Sequence, residues 1–152
     1  MKRIAGLFFI IFMVSGCKSN RIYERYETVN GYQWQYHDIK TFTAKITDTS
    51  AIYNLYVDIR NSEAYPYSNL WLNLTSKSPE GIEQKQRFNF TLADVDGKWN
   101  GDILGDVHDH RFTAASQVRF PRTGTYTFNL QQDMRIDPLP GVMDVGIRLE
   151  KN

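Results

Sequence analysis

The chain contains one cysteine, Cys17, in 152 residues. No disulfide can form within it, so the fold is held by burial and hydrogen bonding alone, whatever the redox state of its compartment. Excess charge is also absent. The formal net charge is +1, and without Lys2 and Arg3 it becomes −1. Such a balance sets up no field to gather nucleic acid or an anionic lipid surface. Beyond the first residues no apolar run approaches the ~20 residues that a spanning helix requires. No stretch there keeps an i, i+3, i+4, i+7 apolar pattern for three turns, which excludes a helical bundle. Internal repeats, low-complexity tracts and an interdomain linker are missing as well.

The amino-terminal segment supplies the strongest positive signal. Lys2 and Arg3 precede an apolar stretch through Leu7, Phe8, Phe9, Ile10, Ile11, Phe12, Met13 and Val14, then Ser15, Gly16 and Cys17. A charged start, a short apolar core and small residues before a cleavage point make an export signal. The apolar stretch is about ten residues, ~15 Å as a helix and half of a bilayer core. The ending Val14-Ser15-Gly16-Cys17 resembles the lipobox of bacterial lipoproteins. That resemblance implies a diacylglycerol on the Cys17 thiol, cleavage before it, and acylation (palmitate or a similar chain) of the new amino terminus. Two or three acyl chains, at about 0.8 kcal/mol per buried methylene, anchor a protein stably. The chain is thus expected to divide into a signal peptide at 1–16, a lipidated tether at 17–31, and a folded domain at 32–152.

The rest reads as short alternating strands separated by turn residues. In Ile52–Arg60, Tyr53, Leu55, Val57 and Ile59 alternate with Asn54, Tyr56, Asp58 and Arg60, the pattern of a half-buried strand. Leu70, Leu72 and Leu74 repeat it, as do Phe88, Phe90 and Leu92, then Tyr126, Phe128 and Leu130, then Val145, Ile147 and Leu149. Weaker candidates are 32–36, 41–46 and 111–120. Uneven spacings, and a long connection from Ala93 to His110, suit crossings between two sheets better than an up-and-down barrel. The spacing predicts an all-β fold, an antiparallel β-sandwich of jelly-roll or Greek-key type. Leu55, Val57, Phe88, Phe90, Phe128 and Ile147 are its expected core. Pro138 and Pro140 mark a rigid crossing before the last strand.

Five segments in order carry a family resemblance: the lipobox, YNLYVDIRN at 53–61, YPYSNLWLNL at 65–74, GTYTFNLQQDMR at 124–135 and LPGVMDVGIRLE at 139–150. Together they resemble the gliding-motility-associated lipoproteins of the GldH type. The resemblance implies a lipoprotein β-sandwich tied to gliding motility and the linked protein-secretion machinery. It implies no catalytic residue and no cofactor. The only functional position it carries over is the acylated Cys17.

Chemistry was sought independently in the residues. The connection from Ala93 to His110 holds Asp94, Asp96, Asp102, Asp106 and Asp109 with His108 and His110. Asp94-Val95-Asp96-Gly97 opens like a calcium loop but lacks an acidic residue at the closing position. His108 and His110 share a strand face and offer two transition-metal ligands, with no third in view. The reading preferred is a turn-rich loop whose aspartates bond their own backbone, with both histidines dispensable and no metal. Glycosidase chemistry needs two carboxylates flanking a cleft; Asp58 and Glu63 are read instead as solvated charge. No Gly-x-Ser-x-Gly elbow is present. Exposed aromatics on a sandwich can bind carbohydrate or a protein partner, and Trp71, Trp99, Tyr65 and Tyr67 are the candidates. The leading expectation is a non-enzymatic lipoprotein, anchored to a membrane by its lipid, with protein partners in the cell envelope and no nucleic acid. The alternative is a lipid-anchored carbohydrate-binding module. No acidic run follows Cys17, so the domain is expected to face the periplasm.

Overall fold

The computed structural model describes residues 20–152. Cys17 and the signal segment lie outside them. The elements are β1 (Arg21–Thr28), a 3-10 turn at Asn30–Tyr32, β2 (Gln33–Trp34), β3 (Lys40–Ile46), β4 (Tyr53–Ser62), β5 (Asn69–Lys77), β6 (Glu83–Thr91), β7 (Asp102–Leu104), β8 (Val107–Val118), β9 (Gly124–Gln132), β10 (Leu139–Pro140) and β11 (Val142–Lys151). The larger sheet runs β1-β11-β4-β8-β7 and the facing one β3-β9-β5-β6, with a small β10-β2 pair beside them. Every pairing is antiparallel. The chain repeatedly crosses between the sheets, as uneven loop lengths predicted.

Alternation decides which side chains enter the core. On β4, Tyr53, Leu55, Val57 and Ile59 are buried. They face Leu70, Leu72 and Leu74 of β5, Phe42, Ala44 and Ile46 of β3, and Tyr126, Phe128 and Leu130 of β9, all buried. Val145, Ile147 and Leu149 of β11 complete this layer. Of the six expected core residues, five are buried; Phe88 is only half-buried. It lies on β6, the edge strand of its sheet, where no neighbouring strand covers its outer flank.

Two expectations are corrected. The expected tether at 17–31 is cut short: Arg21–Thr28 within it forms β1 and pairs with β11 along its length. Its alternation is weak because it is an edge strand whose inward positions include Arg25 and Glu27, which pair with each other at 2.9 Å. Asp58 was read as solvated but is 1% exposed. It does project from the face opposite the core. There Arg111 of β8 grips it with Nε at 2.7 Å and Nη2 at 3.2 Å. Tyr26 leans over from β1 across Gly146, where a side chain's Cβ would sit 3.0 Å from its ring. Burial, then the charge of Asp58, pushes the Tyr26 phenol up to about 12. Glu24 accepts hydrogen bonds from Arg111 and Arg148 at 3.2 and 2.9 Å, so a lattice of ions seals the outer face of the large sheet.

The predicted crossing before the last strand is present at 137–141. Gly141 has φ +85°, and a Cβ there would meet the Tyr65 backbone at 2.6 Å. Only glycine meets both demands.

The two ends of the sandwich differ. At one, Asn20 accepts a hydrogen bond from the backbone of Lys151 at 2.8 Å, Lys151 pairs with Tyr53, and Tyr53 pairs with Val118. This is the end from which the chain leads back toward Cys17. At the other lie Thr28, Ser62 and the β7–β8 turn.

Phe128 is 1% exposed. Phe128→Ala is expected to cost about 3–5 kcal/mol and to lower the melting temperature by roughly 10–20 °C. Thermal unfolding followed by circular dichroism checks this, and a shift of only a degree or two contradicts the assigned strand face.

Candidate functional site

The two sheets meet along an open seam where the edge strand β6 faces β8. A column of rings fills the half of it remote from the chain exit. Phe88 stacks on Phe90 at 5.3 Å, Phe90 on Phe112 at 4.4 Å, and Phe112 on His110 at 6.0 Å. Trp99 continues it, stacked on His108 at 5.1 Å and edge-on to His110 at 6.4 Å. Tyr65 meets Trp99 at 6.3 Å and Tyr67 at 5.9 Å.

His108 and His110 therefore sit in strand β8, not in a loop, and each is 3% exposed. They do share a face, as two residues apart on a strand must. The expectation that both could be removed without effect on the fold is overturned: they are part of the packed seam. Their partners fix their proton positions. The Asn61 amide nitrogen donates to the carbonyl of Ser62 at 3.1 Å, so its oxygen is free to accept. The Nε2–H of His110 donates to that oxygen at 2.9 Å. The Glu63 carboxylate accepts from His108 Nε2 at 2.6 Å and from Trp99 Nε1 at 3.1 Å. Those two bonds, Trp99 first, hold the Glu63 carboxyl below its usual range. Burial, then the neighbouring His108, pushes His110 down to about 4. Gly101 lets the backbone pass beside it, since a Cβ there would stand 2.8 Å from His110 Nδ1.

Of the aspartates of the 93–110 connection, Asp94 behaves as read, whereas Asp109 lies in β8 and pairs with Arg60 at 3.1 Å. Asp94 Oδ1 accepts from the backbone N–H of Asp96 and of Lys98, both at 2.9 Å, and holds a tight turn. Among the described residues no group of three or more His, Cys, Asp and Glu side chains converges. Asp58 and Glu63 do not share a cleft: one lies in the outer ion lattice and the other bonds His108 at the seam.

The sequence candidates for ligand contact separate into two places. Tyr65, Tyr67 and Trp99 come together at the seam. Tyr65 is 3% exposed, with its hydroxyl donating to the Asn69 carbonyl at 2.8 Å. Tyr67, at 37% exposed, is the most open of the three. Trp71 stands on the outer face of the smaller sheet, and the Arg87 guanidinium covers its ring at 4.1 Å. Arg87 is in turn held by Asp133 at 2.5 Å.

Sequence reading missed a different feature. Val95, Ile103 and Leu104 all lie in the connection between β6 and β8. Val95 is fully exposed, and Ile103 and Leu104 are 68% and 57% exposed. The same connection holds Asp94, Asp96, Asp102 and Asp106 against one cation, Lys98, all exposed. The signal was the Ile103-Leu104 pair bracketed by Gly101 and Gly105. A turn-rich acidic stretch has no core demand for two consecutive large aliphatics.

The comparisons with known proteins agree with one another. The family model described as GldH lipoprotein matches residues 21–149. A protein of Christiangramia forsetii named "Gliding motility lipoprotein GldH homolog" is 32% identical over 151 residues, covering 95% of this chain and 92% of its own. The "Gliding motility lipoprotein GldH" of Flavobacterium johnsoniae is 27% identical over 146 residues, covering 91% and 90%.

The depressed His110 generates a pH prediction. The folded state holds this ring neutral, whereas the unfolded chain protonates it near the usual ~6.5. Stability is therefore full above pH 6.5, falls as pH drops from there to about 4, and loses nothing more from this residue below that. Between pH 7 and 5 the loss attributable to it is about 2 kcal/mol. His110→Gln, which keeps a donor for Asn61, removes that part of the slope. Urea unfolding at pH 7 and pH 5 on both proteins checks it; identical slopes contradict the assignment.

Proposed function

This chain belongs to the GldH lipoprotein family, and we propose that it works as a non-enzymatic scaffold of the motility and linked secretion apparatus, held to the membrane through acylated Cys17 and docking a protein partner on the β6–β8 connection. Membership makes it a lipid-anchored envelope lipoprotein linked to gliding motility. The observation that carries the scaffold reading is the exposure of Val95, Ile103 and Leu104 in one connection, with Leu104 paired to Val107 at the β7–β8 turn, away from the chain exit. Exposed large aliphatics in a charged stretch suit an interaction surface. Four aspartates against one lysine favour a partner patch that is apolar at its centre and basic at its rim. The polar side chains at the seam are taken up by structural pairing in this reading: Glu63 bonds His108, and Asn61 bonds His110. The domain faces the periplasm in this reading, because no acidic run follows Cys17.

The test is co-purification from membranes with the full lipidated chain. Ile103→Asp with Leu104→Asp is expected to abolish partner recovery while stability stays within about 0.5 kcal/mol, as for exposed positions. Recovery of the same partners by the double variant contradicts the docking surface. Cys17→Ala is expected to block lipidation and leave the protein uncleaved or soluble, without lowering the melting temperature of the domain; persistent fatty-acid label on the variant contradicts the anchor. Protease added to intact cells is expected to leave the domain whole, and rapid digestion contradicts the periplasmic orientation.

A further inference from the structure

The seam that the aromatic column closes at one end is open at the other. The inward face of β6 reads Gln84, Gln86, Phe88 and Phe90, opposite Ser76, Leu74, Leu72 and Leu70 of β5. On β8, Phe112 gives way to Ala114 and Ala115. Where the phenylalanines face each other they stack. Where glutamines face alanines nothing spans the gap, and a cleft of about 530 Å³ remains between the sheets. Leu55, Leu74, Phe120, Tyr126 and Phe128 form its floor. Its volume falls within the ~300–1,000 Å³ of pockets that hold small ligands.

The rim is charged and unbalanced. Glu80 at the mouth is held by Arg122 at 3.0 Å. Arg119 also lines it, exposed and in no ion pair among the described residues. Lys85 alternates with the inward Gln84 and Gln86, so its side chain leaves β6 on the outer face. Arg119 donates one hydrogen bond to the Ser50 carbonyl at 3.1 Å. Ile82, 61% exposed, stands at the lip.

The position of the cleft matters as much as its lining. It opens at the chain-exit end, beside Val118 and Phe120. Only Lys18 and Ser19 separate Cys17 from Asn20, a reach of at most ~11 Å. The mouth lies three strand spacings from β1 within the large sheet, ~14 Å. A protein anchored through Cys17 thus carries this cleft at the level of the lipid headgroups.

We propose that the cleft takes a single acyl chain with an anionic headgroup, drawn from the membrane that holds the protein. The floor receives the hydrocarbon and Arg119 receives the anion. Transfer of a chain from a bilayer to an apolar cleft changes its surroundings little, so this cation supplies the selection. The acyl groups of Cys17 itself carry no anion and make no use of it. The proposal rests on anchoring through Cys17.

The experiment uses the full lipidated chain in neutral phosphatidylcholine vesicles containing a trace of a photoactivatable, clickable long-chain fatty acid, at a pH where the acid is ionised. The neutral methyl ester of the same probe runs in parallel. After illumination, labelled peptides are mapped by mass spectrometry. Labelling is expected to concentrate in 74–86 and 114–121 and to be about fivefold stronger with the acid than with the ester, the scale of one cation near a membrane surface. Ala115→Phe, which fills the cleft, is expected to abolish it. Arg119→Glu, exposed and tolerant of change, is expected to remove the preference for the acid. Labels spread evenly over the domain, equal labelling by acid and ester, or labelling untouched by these variants overturns the proposal. So does labelling of the cleft only when the probe is incorporated metabolically on Cys17, which assigns the cleft to the protein's own anchor. Flotation of the same vesicles reports attachment separately: protein that floats while its labels are spread evenly loses the cleft and keeps the anchor, and protein that fails to float loses both.

Discussion

The stacking of Phe90 on Phe112, rings 4.4 Å apart and 14° from parallel, joins the two sheets where no strand does. A sandwich has two open flanks. One is narrowed where β1 and β3 approach each other; the other leaves β6 and β8 with unpaired edges, the exposed templates that β proteins must cover or blunt. The aromatic column covers the half remote from the chain exit. Each aromatic pair adds about 0.5–1.5 kcal/mol beyond the area it buries, and the column contains several in series. Other features follow from that closure. His108 and His110 are buried because they extend the column. Asn61 and Glu63 are needed because buried imidazoles require partners. Trp99, stacked against His108, ties down the start of the long connection, so its exposed tip projects from a fixed base.

A second constraint acts on the outer face of the large sheet. β4 lies between β11 and β8, and its inner face is apolar from Tyr53 to Ile59, with buried Asn61 at its end. Its outer face carries Asp58, which burial alone would strongly disfavour as an ion. Arg111 and Glu24, with Arg148 beyond them, spread the charge over β1, β8 and β11. Salt bridges open to solvent are worth little singly. Here they link strands that are far apart in sequence, and the side chains cover a face that no helix or third sheet protects. Both faces of β4 are thus occupied, one by packing and the other by a hydrogen-bonded ion lattice.

The fold was largely legible because its strands alternate cleanly. Leu55, Val57, Phe128 and Ile147 fall at inward positions by period alone, and burial follows. β1 was missed for the same reason: an edge strand with Arg25 and Glu27 on its inner side has no apolar alternation to read. Phe88 followed the period but sits where the seam opens, so period gave its face and not its depth. The site was less legible. His108 and His110 were correctly placed on one face, but whether that face is packed depends on Trp99 returning across the seam, a contact that no local pattern encodes. Asp58 failed similarly, since its cover comes from Arg111, 53 residues away, and from Tyr26. Local spacing assigns faces; burial of polar groups is decided by partners distant in sequence.

The change from tether to strand alters what the molecule can do. A tether of 14 or so residues would let the domain roam tens of ångströms from the lipid at any orientation. With β1 beginning at Arg21 and hydrogen-bonded to β11, only three residues separate that strand from Cys17. Under the proposed anchoring at Cys17, a domain so short-leashed turns its chain-exit end to the lipid and its opposite end, where Ile103 and Leu104 lie, away from it. That polarity follows from one edge strand beginning so near the proposed anchor. The residues at each end suit the division, with an apolar cleft beside Arg119 at one and exposed aliphatics among aspartates at the other.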